Sequence, residues 1–291
     1  MNKYKFQIFI EELVNTILTI LKIFLFSKYF VKIKSCENRN NECVILGNGP
    51  SLTDSIENKR HTLSGKDIFC VNRFATSDYF DVIKPVFYII TAPEYWRDNV
   101  DDQWKRRAEE LLQTIKEKTN WQMSLLLPVE SAKYNKIQNI ISGNKNITIS
   151  YYNTTPVEGF RCSSHFFFNF NLGMPRPHNV LISSIFLAIR MNYKKIYLLG
   201  ADHSWLSEIR VTDSNDVLVN QKHFYDKDSS EPKPMQKAGR GKRKLHEVLV
   251  KFVYAFKGYF VLEEYSIYRQ SKIYNATPNS FIDAFERIEL K

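Results

Sequence analysis

The feature that most constrains the fold of this chain is a short apolar run that ends in a glycine-rich turn, at residues 44–52. The run Val-Ile-Leu is followed directly by Gly-Asn-Gly-Pro-Ser-Leu. An apolar run closed by turn-forming residues is typical of a buried parallel strand. Gly47 and Gly49 allow the backbone to turn sharply and to approach a ligand closely. Nucleotides bind just beyond the carboxyl ends of strands in open α/β sheets, so the motif predicts a nucleotide or nucleotide-sugar site.

The motif differs from two familiar phosphate-binding signatures. Its glycines do not follow the G-x-G-x-x-G spacing, and no lysine of the Walker type follows them. A dinucleotide-dependent dehydrogenase and a P-loop ATPase are therefore disfavoured. The alternative interpretation is an ordinary strand–turn, which is what a bare Gly-x-Gly pair usually forms.

Strands alternate with helices along the rest of the chain, which predicts an α/β fold. Predicted strands cover 67–72, 86–91, 124–127, 146–152, 195–202, 259–263 and the beginning of 273–280. Predicted helices cover 103–118, 179–193 and 244–256, and the phenylalanine-rich run 161–171 is left unassigned. This order indicates a single Rossmann-like, doubly wound, mostly parallel sheet.

The chain is expected to consist of three parts. Residues 1–34 form an N-terminal amphipathic helix, 35–42 a polar linker, and 43–291 the nucleotide-sugar-binding catalytic domain. Within the domain, the polar segment 205–243 is too long for an ordinary connection. Long segments of this kind are commonly lids over a site or disordered, and we predict a lid here.

The N-terminal helix carries its polar residues at helical spacing and leaves a broad apolar face. Its longest uncharged stretch, 13–21, is too short to span a bilayer. The lysines that suit anionic headgroups are Lys22, Lys28, Lys32 and Lys34. We predict a helix in the plane of the membrane interface, which places a cytoplasmic protein peripherally on the inner face of the cell membrane. The alternatives are a helix docked on its own domain or on a twin subunit, as in a homo-oligomer.

The charge balance raises three classes of partner. The chain of 291 residues has 41 Lys+Arg against 31 Asp+Glu, a formal net charge of +10, which suits nucleic acid, anionic membranes or anionic small molecules. No nucleic-acid-binding signature accompanies the charge, so no nucleic-acid partner is expected. The cysteines lack C-x-x-C spacing and are expected to be free thiols: Cys36, Cys43, Cys70 and Cys162. No metal site is indicated.

Polar residues follow several predicted strands at the point where each strand ends. They are Asn48, Ser51, Asn72, Thr91, Asp202, His203, Thr277, Asn279 and Ser280. Because parallel strands place their carboxyl ends at one edge of the sheet, we expect these side chains to converge, with Gly200 in the turn before the aspartate. Each one taken singly also suits ordinary turn chemistry. His178 and Asn179 open the helix 179–193, whose free N–H groups form an anion site, and Asn179 is also a natural N-cap.

Two histidines are candidates for a general base that deprotonates a sugar hydroxyl. His223 lies in the predicted lid, and His203 follows a strand end and has a structural role as its alternative. A lid that closes over a reactive donor also excludes water. We assign the base to His223 with His203 in reserve. The hydroxyl of Tyr225 and the N–H groups near Asn179 are predicted to stabilise the leaving phosphate.

Four blocks together resemble the bacterial lipooligosaccharide sialyltransferases and the related MptE-like group, which includes motility accessory factor glycosyltransferases and pterin pyrophosphokinases. The blocks are 44–52, Cys-Val-Asn-Arg-Phe at 70–74, Lys-Lys-Ile-Tyr-Leu-Leu-Gly-Ala-Asp at 194–202 and Thr-Pro-Asn-Ser at 277–280. The sialyltransferases carry a tyrosine two residues after the aspartate, where this chain has Ser204. Their lid histidine has no clean counterpart, since His223 and His246 fall on either side of its place.

The resemblance implies a single-Rossmann, GT-A-like enzyme that uses a CMP-activated sugar. Asn48, Ser51 and Asn72 would bind the nucleotide, Asp202 would lie on the cytidine side, and the loop at His178 would lie near the nucleotide. The implied activity is inverting transfer of sialic acid or a related acidic sugar to a cell-envelope glycan or glycolipid, in lipopolysaccharide biosynthesis. The nucleotide sugar is then a substrate, and no further cofactor is expected. The alternatives are an MptE-like pyrophosphokinase and a non-catalytic, membrane-attached glycan-binding protein.

Overall fold

The structure, a computed structural model, describes residues 3–29, 31–33, 40–220, 222–225, 231–237 and 241–290. Lys34, Cys36 and most of the predicted linker lie outside the described residues, as do parts of the predicted lid. Within the described part, Cys43 and Cys70 are buried and Cys162 is exposed.

The domain is organised around a parallel sheet of eight strands, which confirms the predicted α/β fold class. Its strands are β1 (Glu42–Leu46), β2 (Asp67–Val71), β3 (Phe87–Ile89), β4 (Met123–Pro128), β5 (Ile147–Tyr152), β6 (Lys195–Leu199), β12 (Lys272–Asn275) and β13 (Glu286–Arg287). The spatial order is β13-β12-β6-β1-β2-β3-β4-β5. The chain winds outward from β1 to β5 and then returns to place β6 on the other side of β1. The switch point of the topology therefore lies between β1 and β6, where open α/β sheets bind ligands.

Helices cover both faces of the sheet. They are α1 (Lys3–Phe26), α2 (Leu52–Lys59), α3 (Phe80–Ile83), α4 (Asp102–Lys118), α5 (Lys136–Ile141), α6 (Arg161–Asn169), α7 (Val180–Arg190) and α8 (Leu245–Tyr268). Successive strand residues point to opposite faces, so Cys43 and Ile45 pack with α7 and α8, whereas Val44 and Leu46 pack with α2 and α4. Two apolar cores therefore hold the sheet between two layers of helices.

One predicted strand is wrong. Residues 259–263 belong to α8, which continues through Gly258 to Tyr268. Gly258 lies in a buried turn of this helix. A Cβ atom at Gly258 would lie 2.8 Å from Cδ1 of Ile182 on α7, so the small residue allows the two helices to approach. The unassigned run 161–171 contains helix α6.

The segment predicted as a lid contains short strands. β7 (Ile209–Val211), β8 (Val217–Val219) and β9 (Lys233–Pro234) form an antiparallel sheet, and β10 (Gln236–Lys237) pairs with β11 (Gly241–Lys242). Val217 and Val219 pack on Val248 and Phe252 of α8. This apolar contact attaches the segment to the helix that borders the site.

The N-terminal helix is docked on the domain along part of its length. Thr19 and Ile23 are buried there, while most of its apolar side chains are exposed. The docked arrangement, given as an alternative above, thus describes one face of α1. No helix among the described residues is both long enough and apolar enough to cross a membrane.

Candidate functional site

The loops that follow β1 and β6 touch each other through their backbones. The Gly47 N–H donates to Leu199 O at 2.7 Å, and the Gly49 N–H donates to Gly200 O at 2.8 Å. A Cβ atom at Gly47 would lie 2.4 Å from Gly200 O, and Gly200 has a φ of +64°. Only glycine fits these positions without displacement. The first role of these glycines is therefore to let the two loops meet at the switch point.

Asp202 is held in this junction by the loop that follows β1. Ser51 donates to it twice, from Oγ to Oδ2 at 2.9 Å and from the backbone N–H to Oδ1 at 3.2 Å. A Cβ atom at Gly49 would lie 1.9 Å from Asp202 Oδ2, so the carboxylate sits directly against the loop. Burial raises the pKa of Asp202, and the hydrogen bonds from Ser51 oppose that shift. Ser51 therefore faces the carboxylate and fixes its orientation.

The residues predicted at the end of β12 support the same loop from behind. Thr277 Oγ1 accepts from the Ala201 N–H at 3.0 Å, and Ser280 Oγ donates to Ala201 O at 2.6 Å. Both side chains are buried. Their position indicates that they brace the turn that carries Asp202.

A cavity of about 890 Å³ opens at this edge of the sheet and brings most of the predicted site residues together. The predicted residues that line it are Asn48, Gly49, Asn72, Thr91, His178, Asn179, Gly200, Asp202, His203, His223 and Tyr225. Gly47 and Ser51 do not line it, because they contact Gly200 and Asp202 at its back. The volume falls within the range of small-molecule sites.

Three polar atoms in the cavity wall are buried and have no hydrogen-bond partner in the described part of the chain. They are Oδ1 of Asn48, Oδ1 of Asn72 and Nε2 of His178. Asn48 uses its other side-chain atom to donate to Val71 O at 3.1 Å. Buried polar atoms are rarely left unsatisfied in native proteins, since each costs about 1–3 kcal/mol. Their residues line one cavity, which makes these atoms candidates for hydrogen bonds to a bound ligand.

The N-terminus of α7 forms another part of the wall. Asn179 caps the helix, because its Oδ1 accepts from the Ile182 N–H at 3.1 Å, which confirms the predicted N-cap. Its Nδ2 donates to Tyr259 Oη at 2.9 Å, so the amide also connects α7 to α8. The neighbouring N–H groups and the positive end of the helix dipole favour an anion here.

His178 precedes this cap and lies flat against Tyr254, with ring centroids 5.2 Å apart and an angle of 6° between the rings. Burial lowers its pKa to about 4, and the nearby positive charges of Arg176 and Lys251 add to that shift. The imidazole is therefore neutral at neutral pH, with its unpartnered Nε2 in the cavity wall.

His203 is buried and adopts a left-handed backbone conformation with a φ of +54°. Its Nε2 forms a 2.5 Å hydrogen bond with Tyr259 Oη, and its ring stacks on Trp205 at 4.0 Å. Burial lowers its pKa to about 3. The ring is thus neutral, and one of its nitrogens is already engaged by the protein.

The segment 222–225 brings the other histidine to the cavity. The Phe224 N–H donates to Asn48 O at 3.1 Å, and the Phe224 ring packs on Phe74 at 5.5 Å. These contacts attach the segment to the loops after β1 and β2. The half-buried rings of His223 and Tyr225 lie parallel on the cavity side, with centroids 5.1 Å apart.

Several lining residues were missed by the sequence argument. They are charged or aromatic and come mainly from α4, from α8 and from the turns after β2 and β3: Arg73, Glu94, Tyr95, Trp104, Arg107, Lys222 and Lys251. Arg73 directly follows Asn72, so the strand-end rule could have found it. Lys251 lies in the middle of a helix, and nothing in the local sequence marks it. It is mostly buried, which lowers its pKa together with the charge of Arg243.

Comparison with solved structures finds a protein whose fold is similar to that of this chain. No protein-family model and no curated protein matches the sequence. Among solved structures, the MAf glycosyltransferase from Magnetospirillum magneticum AMB-1 is similar, with a TM-score of 0.51 and 12% sequence identity. The similarity covers 94% of this chain and 38% of that protein, so this chain spans well under half of its neighbour's length. At this level of identity, the similarity establishes a shared fold.

Proposed function

We propose that the protein is a glycosyltransferase that takes its sugar from a CMP-activated donor. The observation that carries the proposal is the set of three unpartnered polar atoms, on Asn48, Asn72 and His178, in a cavity at the switch point of the sheet. Such atoms suit the edge of a cytosine base and the hydroxyls of a ribose, which offer both donors and acceptors. The fold that the chain shares with a glycosyltransferase supports the same conclusion.

In the proposed complex, the phosphate of the donor lies against the positively charged part of the cavity. The N–H groups at the beginning of α7, next to the N-cap Asn179, offer a site for this phosphate. Lys222 and Lys251 add positive charge to the wall, and Arg107 does so from α4. Asp202 lies on the nucleoside side and accepts hydrogen bonds from hydroxyl or amino groups. The tyrosine hydroxyl of Tyr225 donates to the leaving phosphate.

His223 acts as the general base in the proposed reaction. Its imidazole takes the proton of an acceptor hydroxyl, and that oxygen attacks the anomeric carbon as the bond from this carbon to the CMP phosphate oxygen breaks. Attack from the side opposite the leaving CMP inverts the anomeric configuration. His203 is less suited to this step, because it is buried, has a pKa lowered to about 3 and uses Nε2 to contact Tyr259. The segment that carries His223 lines the cavity, and we expect it to limit the access of water.

The transferred sugar is sialic acid or a related acidic sugar, and the acceptor is a glycan or glycolipid of the cell envelope. An acidic sugar adds a carboxylate, which the basic residues of the cavity complement. A lipid-linked acceptor places the protein peripherally at the inner face of the cell membrane, in lipopolysaccharide biosynthesis.

Calorimetric titration of the protein with CMP, UDP, GDP and ATP tests the proposal. We expect CMP to bind more tightly than the other nucleotides, without a requirement for magnesium. Binding of ATP with magnesium, in the absence of CMP binding, would instead favour a pyrophosphokinase. No response to any nucleotide would reject a nucleotide-sugar enzyme and favour a non-catalytic glycan-binding protein.

A further inference from the structure

Helix α1 is arranged in the opposite way from an ordinary surface helix. Most of its polar side chains from Glu12 to Ser27 face the domain, and most of its apolar side chains face outward, although Gln7 and Glu11 are also exposed. The residues turned toward the domain recur at helical spacing: Glu12, Asn15, Thr16, Thr19, Lys22, Ile23 and Ser27. Surface helices of soluble domains normally bury their apolar stripe and expose their polar face. The outward apolar face of α1 therefore indicates a contact with something outside the domain.

The polar stripe is attached to the domain by specific hydrogen bonds. Thr19 Oγ1 donates to Glu158 O at 2.9 Å and accepts from the Glu158 N–H at 3.0 Å. Thr16 Oγ1 accepts from the Phe160 N–H at 2.9 Å. Ser27 Oγ donates to Thr155 Oγ1 at 2.8 Å, close to the end of the helix. These bonds extend along more than two turns, so the helix is fixed in one orientation.

The approach between the helix and the domain is close enough to require a glycine. Gly159 has a φ of +105°, and a Cβ atom there would lie 2.2 Å from Thr16 Oγ1 and 2.5 Å from the Thr16 nitrogen. Lys22 forms an ion pair with Glu158 at 3.3 Å, and Glu158 in turn pairs with Arg176 at 2.7 Å. Arg176 lies two residues before His178 of the cavity. The stripe thus connects α1 rigidly to the segment that forms one cavity wall.

The other half of the helix is apolar and exposed. Its outward residues include Phe6, Phe9, Ile10, Leu13, Val14, Ile17, Leu18, Ile20, Leu21, Phe24 and Leu25. Phe24 is 75% exposed, and Leu21 is 53% exposed. At about 100° per residue, these positions cover roughly half of the circumference. The exposed lysines Lys5, Lys28 and Lys32 lie near the two ends of this surface.

We propose that this outward half of α1 lies in one leaflet of an anionic phospholipid membrane, with the domain held rigidly above it. A lipid surface fits better than a second copy of the chain, because a helix partner covers a stripe of about 100° and this face is wider. Hydrocarbon surrounds a half-cylinder without leaving apolar side chains in water. The lysines at its ends match anionic headgroups.

The inference gives a fixed geometry to the membrane location stated in the proposed function. The hydrogen bonds of Thr16, Thr19 and Ser27 make α1 a rigid mount, in contrast to a flexible tether joined by a linker. The cavity then keeps one orientation relative to the bilayer, through Glu158 and Arg176. The inference does not depend on sugar transfer, and its test uses no substrate.

Sedimentation of the purified full chain with lipid vesicles tests the proposal. The probes are vesicles of phosphatidylethanolamine with phosphatidylglycerol, and vesicles of phosphatidylcholine alone. We expect the wild type to bind the anionic vesicles more strongly. Leu21→Glu together with Phe24→Glu should weaken that binding at least tenfold, because two side chains that enter the hydrocarbon become charged.

The matched control replaces two apolar residues of similar exposure elsewhere, Val82→Glu together with Val211→Glu, which are 51% and 52% exposed in the wild type. This control should bind vesicles as the wild type does. Circular dichroism and Tm establish that each variant folds, and all four sites are exposed.

Three results would overturn the proposal. One is a wild type that stays in the supernatant with both kinds of vesicle, which needs no variant to interpret. Another is equal binding by the wild type and the Leu21→Glu, Phe24→Glu variant. The third is a wild-type dimer in sedimentation velocity that this variant splits, since the apolar face would then belong to a second copy.

Discussion

The two walls of the cavity are built in different ways. The wall at the strand ends consists of loops after β1, β2 and β6, fixed by backbone contacts such as the one from Gly49 to Gly200. The side-chain oxygens of its Asn48 and Asn72 are buried and have no hydrogen-bond partner among the described residues. The facing wall is built from α8 and from residues 203–220 and 222–225, beyond the turn that carries Asp202. In this wall, His203 is already bonded to Tyr259 and His223 stacks on Tyr225.

We infer from this difference that the strand-end wall serves recognition and the facing wall serves chemistry. The strand-end wall is preorganised, because backbone hydrogen bonds fix its loops, and this lowers the entropic cost of binding a ligand. The facing wall carries both candidate bases, His203 and His223, and the segment after His203 is attached to α8 by small apolar contacts, such as that of Val219. Substitutions in the facing wall should therefore change turnover, and those in the strand-end wall should change affinity.

The largest effect is expected in the facing wall, at the proposed base. His223→Ala should lower kcat roughly a hundredfold or more with the donor that titration identifies, because the group acts only in the transition state. Donor affinity should barely change. Steady-state kinetics together with calorimetry of the variant separate the two quantities.

The matched control for this prediction is His61→Ala, which removes an exposed histidine outside the cavity. Near-normal turnover of His223→Ala would contradict the assignment and make the histidine structural. The base would then be sought at His203 or His246.

A smaller effect is expected from the buried His203 of the same wall, in stability as a function of pH. Burial lowers its pKa to about 3 in the folded protein, against an ordinary value of 6.5. Between these values the unfolded chain binds a proton that the folded chain excludes. The contribution of His203 to stability is therefore complete above pH 6.5 and is lost as the pH falls below 6.5. The free energy of unfolding should drop by about 2 kcal/mol between pH 6.5 and pH 5 from this residue.

Chemical denaturation of the wild type and of His203→Asn at both pH values measures this contribution. Asparagine tolerates the left-handed backbone of His203 and does not titrate. We expect a smaller pH dependence in the variant. The same slope in both proteins would mean that His203 is protonated in the folded state, contrary to its burial.

The sequence predicted the strand-end wall well, because its chemistry is local. A strand pattern followed by glycine, asparagine or aspartate identifies both the element and its end, and the parallel topology brings the ends together. Asn48, Asn72 and Asp202 were found in this way. The N-cap of α7 was also local, since proline residues precede Asn179 and an apolar helix follows it.

The facing wall was harder to predict, because its residues meet only through tertiary packing. Lys251 lines the cavity from α8, and Tyr259 of the same helix bonds to His203, which also lines it. The sequence around Tyr259 is apolar enough to suggest a strand. A run of that length has the same pattern in a buried strand and in a buried helix. The sequence showed the apolar face of α1. It did not show the polar attachment through Thr16 and Thr19, because these residues bond to a loop that is distant in the sequence.

The most direct test of the central claim is the affinity of CMP for Asn72→Gly. Glycine keeps the positive φ of +49° at this position and removes the side chain that carries the unpartnered oxygen. Asn135→Gly is the matched control, since Asn135 has a φ of +52° and is exposed, outside the cavity. Calorimetry should show about tenfold weaker binding of CMP to Asn72→Gly, as expected for one lost hydrogen bond, and unchanged binding to Asn135→Gly. Equal affinity of the wild type and Asn72→Gly for CMP would contradict the claim that the strand-end wall recognises the nucleotide.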